Sequence, residues 1–101
     1  MDKKENVENE AIFLLLHEKD NVLTALEYLS KGTRIAASSM TGELFLVEDI
    51  PYAHKFARVL IPAGDKVIKY GEVIGKAVAD IPPGAHVHTH NVVSTWDEGK
   101  K

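Results

Sequence analysis

Short apolar runs, separated by polar and turn-forming residues, follow one another along most of this chain. The first run, 11–17, is too short for an ordinary helix and is typical of a buried strand. From Thr33 onward, branched and aromatic residues are punctuated by Gly, Pro and Asp, which predicts about six further short strands. These strands are expected at 33–36, 43–47, 56–61, 66–69, 73–78 and 85–89.

One segment is expected to form a helix. Asp20 or Asn21 suits an N-cap, and apolar residues follow at near-helical spacing from Val22 to Leu29. The pair Lys31-Gly32 then supplies a basic last turn and a C-terminal glycine. The pattern as a whole predicts a mostly β domain with one or two short helices.

A small internal repeat predicts the turns. Ile61-Pro62-Ala63-Gly64 recurs as Ile81-Pro82-Pro83-Gly84, and a weaker copy lies at 29–32. Pro83 suits the second position of a type II turn, and Gly84 tolerates the positive φ of the third. Each unit is therefore expected to consist of a strand, a tight turn and a strand.

Composition limits the domain count and the partners. A chain of 101 residues that is 45% hydrophobic and 27% charged fits one globular domain, expected at 11–95 between a polar leader, 1–10, and a charged tail, 96–101. The net charge of −3 and the absence of a Lys/Arg block argue against nucleic acid. No signal peptide and no apolar run of ~18 residues is present, so we expect a cytoplasmic protein without membrane contact.

Candidate chemistry is concentrated in His86-Val87-His88-Thr89-His90-Asn91, which contains three of the five histidines. Cysteine is absent, so His, Asp and Glu are the remaining metal ligands. On a strand these three imidazoles project from one side, with successive same-face Cα atoms ~6.7 Å apart. Two neighbouring histidines can then bind one ion, whereas the outer pair requires a bend. A solvated strand without a site is the alternative interpretation.

Two other segments offer weaker signals. His54-Lys55 follows Pro51 in a predicted loop, where binding groups are common, although a solvated turn has the same pattern. The segment from Lys69 to Glu72 combines an amine, a phenol and a carboxylate, and makes Tyr70 a candidate substrate contact. The same residues also suit an ordinary hairpin.

Three of these segments together resemble the amino-terminal module of the altronate and galactarate dehydratase family. The resemblance is carried by His54-Lys55-Phe56-Ala57, by 68–75 and by 80–91, with weaker support from 20–26. It covers about residues 11 to 93. The resemblance implies a β-clip fold of the SAF type and a role in metal-assisted β-elimination of water from sugar acids.

The resemblance also implies roles for individual residues. His86 and His88 become the expected ligands of a divalent metal, iron or manganese, and His90 and Asn91 the expected substrate contacts beside Tyr70. His54 and Lys55 are expected to bind the substrate carboxylate or to transfer a proton.

The large domain of the fused family members is missing from this sequence. The resemblance therefore implies a small subunit of a carbon–oxygen lyase, inactive alone and completed by a large catalytic subunit. A small subunit of a sulfolactate sulfo-lyase is one alternative. A sugar-acid binding module without catalysis and a purely structural interaction domain are the others, and an isolated chain could form a homo-oligomer.

Overall fold

The computed structural model describes residues 12–36 and 43–94, and all regular structure in these ranges is β. The mostly β prediction is confirmed, as a β-clip domain of the SAF type. The predicted leader, 1–10, and tail, 96–101, lie outside the described residues. The strands are β1 (Phe13–Leu14), β2 (Val22–Ala25), β3 (Arg34–Ala36), β4 (Glu43–Phe45), β5 (Lys55–Ala57), β6 (Lys66–Lys69), β7 (Glu72–Ala77), β8 (His86–Val87) and β9 (Val92–Ser94).

The predicted helix after Asp20 is wrong, because its apolar run forms strand β2. Val22, Leu23 and Ala25 are all at most 1% exposed, since β2 is buried on both faces. A strand of this kind loses the alternation of apolar and polar residues, so its pattern is easily mistaken for that of a helix. No helix in the described ranges is long and apolar enough to cross a membrane.

Asp20 caps a hairpin turn instead of a helix. Its buried carboxylate accepts hydrogen bonds from the N–H groups of Tyr70 and Gly71, at 2.9 and 2.8 Å. The neighbouring Asn21 accepts from the N–H of Ile68 at 2.8 Å and donates to the carbonyl of Lys66 at 2.9 Å. Both side chains thus attach the β6–β7 hairpin to the start of β2.

The strands form three antiparallel sheets, with strand orders β1-β2-β5-β8, β3-β4 and β6-β7-β9. The first sheet is central, because consecutive residues of β2 and β5 enter two different apolar clusters. Leu23 and Phe56 pack in one cluster, while Val22 and Ala57 pack in the other. The core therefore covers both faces of the central sheet.

The predicted turns are present, and they occur in two bridged pairs. Isolated antiparallel bridges join Leu29 to Ile50 and Ile61 to Ile81, so each turn starts beside another. The turn glycines Gly32, Gly64 and Gly84 have φ of 90°, 90° and 85°. These values match the third position of a type II turn, as the Pro83-Gly84 pair predicted.

A fourth turn follows Ile50, where the sequence analysis predicts no copy of the turn motif. Ala53 holds the glycine position with φ of 71°, and the N–H of His54 closes the turn on the carbonyl of Pro51 at 3.0 Å. The Ile50-Pro51 pair matches Ile61-Pro62 and Ile81-Pro82. His54 therefore follows a turn of the same type as the one that precedes Ala85 and His86.

Alanine substitutions should distinguish the turns at Gly64 and Gly84. A Cβ at Gly64 meets no atom within 4 Å, so Gly64→Ala should cost only the left-handed strain of about 1–2 kcal/mol. A Cβ at Gly84 would overlap the backbone of Phe45 and Leu46, and Gly84→Ala should cost about 1–3 kcal/mol more. Urea denaturation of both variants measures the difference. Equal losses would contradict this packing of the Gly84 turn.

Candidate functional site

Antiparallel pairing of β5 with β8 assembles the candidate site. Lys55 lies opposite Val87, and Phe56 lies opposite His86. One step further along the same register places His54 opposite His88. Because directly opposed side chains in a sheet are near neighbours, residues 32 and 34 positions apart along the chain come together here.

The imidazoles of His54, His86 and His88 form a compact cluster. His54 Nδ1 and His86 Nε2 are 2.8 Å apart, and one of these nitrogens donates a hydrogen bond to the other. Their ring centroids are 5.0 Å apart. This separation is about the length of the hydrogen bond plus two ring radii, so the two rings meet edge to edge. The rings of His54 and His88 stack at 4.2 Å with 15° between their planes.

The three side chains suit a metal ion. One nitrogen of each ring lies within 4.8 Å of the other two. An ion about 2.1 Å from each nitrogen separates neighbouring nitrogens by about 3.0–3.4 Å, so the nitrogens of His54 and His86 that are 2.8 Å apart would have to move apart to share an ion. The cluster includes the predicted ligands His86 and His88 together with His54, for which the resemblance implies a catalytic role.

His90 lies beside this cluster because the chain bends. The strand β8 ends at Val87, and the N–H of Asn91 bonds the carbonyl of His88 at 3.1 Å to close a turn. The exposed ring of His90 thereby lies 5.3 Å from that of His86, at 36°. The outer pair of the motif is brought together by the bend that a straight strand would lack.

Asn91 orients the two histidines through their backbone. Its Oδ1 accepts the N–H of His88 at 2.9 Å, and its Nδ2 donates to the carbonyl of His86 at 2.8 Å. Glu48 accepts the N–H of His86 at 2.8 Å. The Asn91 amide, predicted as a substrate contact, is thus bonded to the backbone, where it positions His86 and His88.

The cluster favours neutral imidazole. Burial lowers the pKa of His86, and the neighbouring His54, His90 and His88 lower it further, against an opposing effect of the Glu48 carboxylate. Burial followed by His54, Lys55 and His90 lowers the pKa of His88. Neutral imidazole is the form that binds a metal, so the electrostatics of the cluster suit a ligand set.

A cavity of about 530 Å³ adjoins the cluster on the side of His88. Lys55 is half-buried in its wall, and burial followed by the charge of Lys69 lowers the pKa of Lys55. The lining residues are Lys55, Ile74, Val78, Val87, His88, Thr89, His90, Val92, Val93 and Ser94. The cavity therefore has apolar walls with one ammonium group and two imidazoles.

Tyr70 does not line this cavity. It lies at the tip of the β6–β7 hairpin with φ of 62°, and it borders a second cavity of about 460 Å³ with Lys69, Glu72 and Ile74. Ile74 belongs to the walls of both cavities. Tyr70 therefore borders a different cavity from the one beside the histidine cluster, and Ile74 lines both.

The fold and the site define this protein as a small β-clip domain that presents a histidine cluster beside a basic, largely apolar cavity. The chain belongs to the family of the altronate/galactarate dehydratase SAF domain, whose family model matches residues 11–95. Altronate dehydratase of Escherichia coli is 44% identical over 79 residues, and that of Bacillus subtilis is 42% identical over 79 residues. Each match covers 78% of this chain and 16% of the relative.

A relative of similar size is also found. The (2R)-sulfolactate sulfo-lyase subunit alpha of Chromohalobacter salexigens is 47% identical over 88 residues, covering 81% of this chain and 94% of that subunit. The chain thus spans about one sixth of the two altronate dehydratases and nearly all of this subunit.

Removal of the Asn91 amide should loosen the histidine cluster. Asn91→Ala leaves the His88 N–H and the His86 carbonyl without their partner, and should cost about 1–3 kcal/mol of folding free energy. The exposed Thr89 lies in the same turn, and Thr89→Ala should change stability by less than about 0.5 kcal/mol. Chemical denaturation checks both values, and equal effects would argue against the Asn91 contacts.

Acid should destabilise the metal-free chain through the cluster. The unfolded chain binds protons at His86 and His88 near pH 6.5, above the lowered folded pKa values, so the free energy of unfolding should fall as pH decreases below 6.5. Urea denaturation between pH 7.5 and pH 5 measures this. The double variant His86→Gln/His88→Gln should show a flatter pH dependence, and an unchanged slope would contradict the assignment.

Proposed function

We propose that this chain is a small subunit of a sugar-acid dehydratase of the altronate/galactarate type, which acts with a separate large subunit. The observation that carries the proposal is the cluster of His54, His86 and His88 beside the cavity that contains Lys55. Such a site has metal ligands and an anion-binding group within one small domain. It is open on the cavity side, where a larger chain can complete it.

The relatives support a role as one of two chains. The domain is about one sixth of each altronate dehydratase, so the rest of the catalytic machinery in those proteins lies in other sequence. The protein that matches over nearly its whole length is named as a subunit. We infer the same division of labour for this chain.

His54, His86 and His88 are proposed to hold a divalent metal. Three imidazole nitrogens without a thiolate suit iron(II) better than manganese, which prefers carboxylate ligands. Such an ion supplies a Lewis acid that stabilises negative charge on a substrate oxygen. His54 is thus proposed as a metal ligand, in place of the catalytic role that the resemblance implies.

The remaining groups suit a hydroxy acid. The Lys55 ammonium lines the cavity and is proposed to pair with the substrate carboxylate, beside apolar side chains that strengthen the interaction. The exposed imidazole of His90, at the rim of the same cavity, is a candidate for moving a proton. In β-elimination the carbon next to the carboxylate loses a proton, a double bond forms and the protonated hydroxyl leaves as water.

A sulfolactate sulfo-lyase is the second candidate, favoured by the 94% coverage of the Chromohalobacter salexigens subunit. The same residues would then serve a substrate with a carboxylate at one end and a sulfonate at the other. The leaving group would be sulfite in place of water.

Co-expression with the large dehydratase chain of the same genome tests the proposal. The two chains should co-purify and convert altronate, galactarate or sulfolactate, with release of a keto acid or of sulfite as the readout. The single variants His54→Ala, His86→Ala and His88→Ala should each reduce bound metal and turnover at least about tenfold. Metal content is measured separately from turnover.

His17→Ala is the matched control, because His17 is exposed and lies outside the cluster. This variant should keep both metal and turnover. Full activity of the large chain without the small chain would overturn the proposal. Retention of metal in all three cluster variants would overturn the ligand assignment alone.

A further inference from the structure

Two lysines face the paired cavities on either side of Ile74. Lys55 lines the cavity next to His88, and Lys69 lines the cavity next to Tyr70. Both side chains are half-buried, and Lys69 is close enough for its charge to lower the pKa of Lys55. The two ammonium groups therefore act on one region of the surface.

Neither lysine has a salt-bridge partner among the described residues. Within residues 12–36 and 43–94, no carboxylate forms an ion pair with Lys55 or with Lys69. The Glu72 carboxylate lies on the residue opposite Lys69 in the hairpin and borders the same cavity, without forming an ion pair with Lys69. Two half-buried cations that repel each other at an apolar wall are stabilised by an anionic ligand that reaches both.

Resting on the proposed function, we propose that Lys55 and Lys69 form a two-ended anion site that selects hydroxy acids with an anionic group at each end. Lys55 takes the carboxylate nearest the histidine cluster, and Lys69 takes the anion at the far end of the substrate. The apolar residue Ile74 lines both cavities and so joins the two ends of the site. Lys69 is thus a specificity residue for the second anion, which is a carboxylate or a sulfonate.

Galactarate and altronate are a matched pair of probes. Both are six-carbon hydroxy acids, and only galactarate carries a carboxylate at each end. Isothermal titration calorimetry of the full chain, with EDTA and with iron(II), should give about tenfold tighter binding of galactarate, the value of one charge-assisted hydrogen bond. Sulfolactate is the third probe, and it shows whether a shorter acid with a sulfonate at the far end is also bound.

Four variants assign the two ends. Lys69→Met should remove the preference for galactarate and leave altronate binding unchanged, while Lys55→Met should weaken both acids about tenfold. Glu72→Gln should tighten galactarate binding about twofold or threefold, because it removes a negative charge beside Lys69. Lys66→Met is the control on the same strand, outside both cavities, and should change neither acid.

Equal affinity for the two six-carbon acids, or a preference that survives Lys69→Met, would overturn the two-ended site. Failure of all three acids to bind with or without iron(II) would also overturn it. Co-purification with the large chain is scored independently of these titrations. A failed anion site is therefore distinguishable from a failed subunit assignment.

Discussion

The antiparallel pairing of β5 with β8 is the constraint on which the site depends. Two strands of three and two residues bring His54 into register with His88 and set His86 against Phe56. The backbone of this pair is fixed by a core on each face of the central sheet, where Phe56 and Val87 are fully buried. The imidazoles project from this buried pairing, so the strand register determines which rings lie close together.

Repeated turns deliver both histidine segments to that pairing. The turn at Ile50 precedes His54, and the turn at Ile81 precedes His86. In each turn, the residue at the left-handed position donates to a strand carbonyl: Ala53 to Ala25 at 2.8 Å and Gly84 to Ala57 at 2.8 Å. One backbone device, used twice, therefore places the two halves of the cluster on the central sheet.

The polar contacts around the cluster divide between positioning and chemistry. The Asn91 amide bonds the backbone through both Oδ1 and Nδ2, whereas His54, His86 and His88 are half-buried and form a cluster beside a cavity. Burial and the neighbouring charges lower the pKa values of His86 and His88, which favours the neutral imidazole that binds a metal. An apolar wall beside Lys55 strengthens electrostatic attraction to an anion.

The turns and most strands could be predicted from the sequence because glycine and proline encode them locally. Strand β2 could not, since burial on both faces removes the alternation that identifies a strand. The sequence predicts that Asp20 caps nearby backbone N–H groups, but the N–H groups that it binds lie 50 and 51 positions further along the chain. His54 joined the cluster through strand register, which sequence spacing does not contain. The sequence carries one signal for the position of His54, which is the Ile50-Pro51 copy of the turn motif just before it.

X-ray absorption spectroscopy of the iron(II)-loaded chain shows whether the three histidines of this domain bind one metal ion. Wild type should have three imidazole nitrogens at about 2.1 Å from the metal, and the His54→Ala variant should have two. A first shell of oxygen atoms alone, or the same nitrogen count in wild type and His54→Ala, would contradict a three-histidine centre.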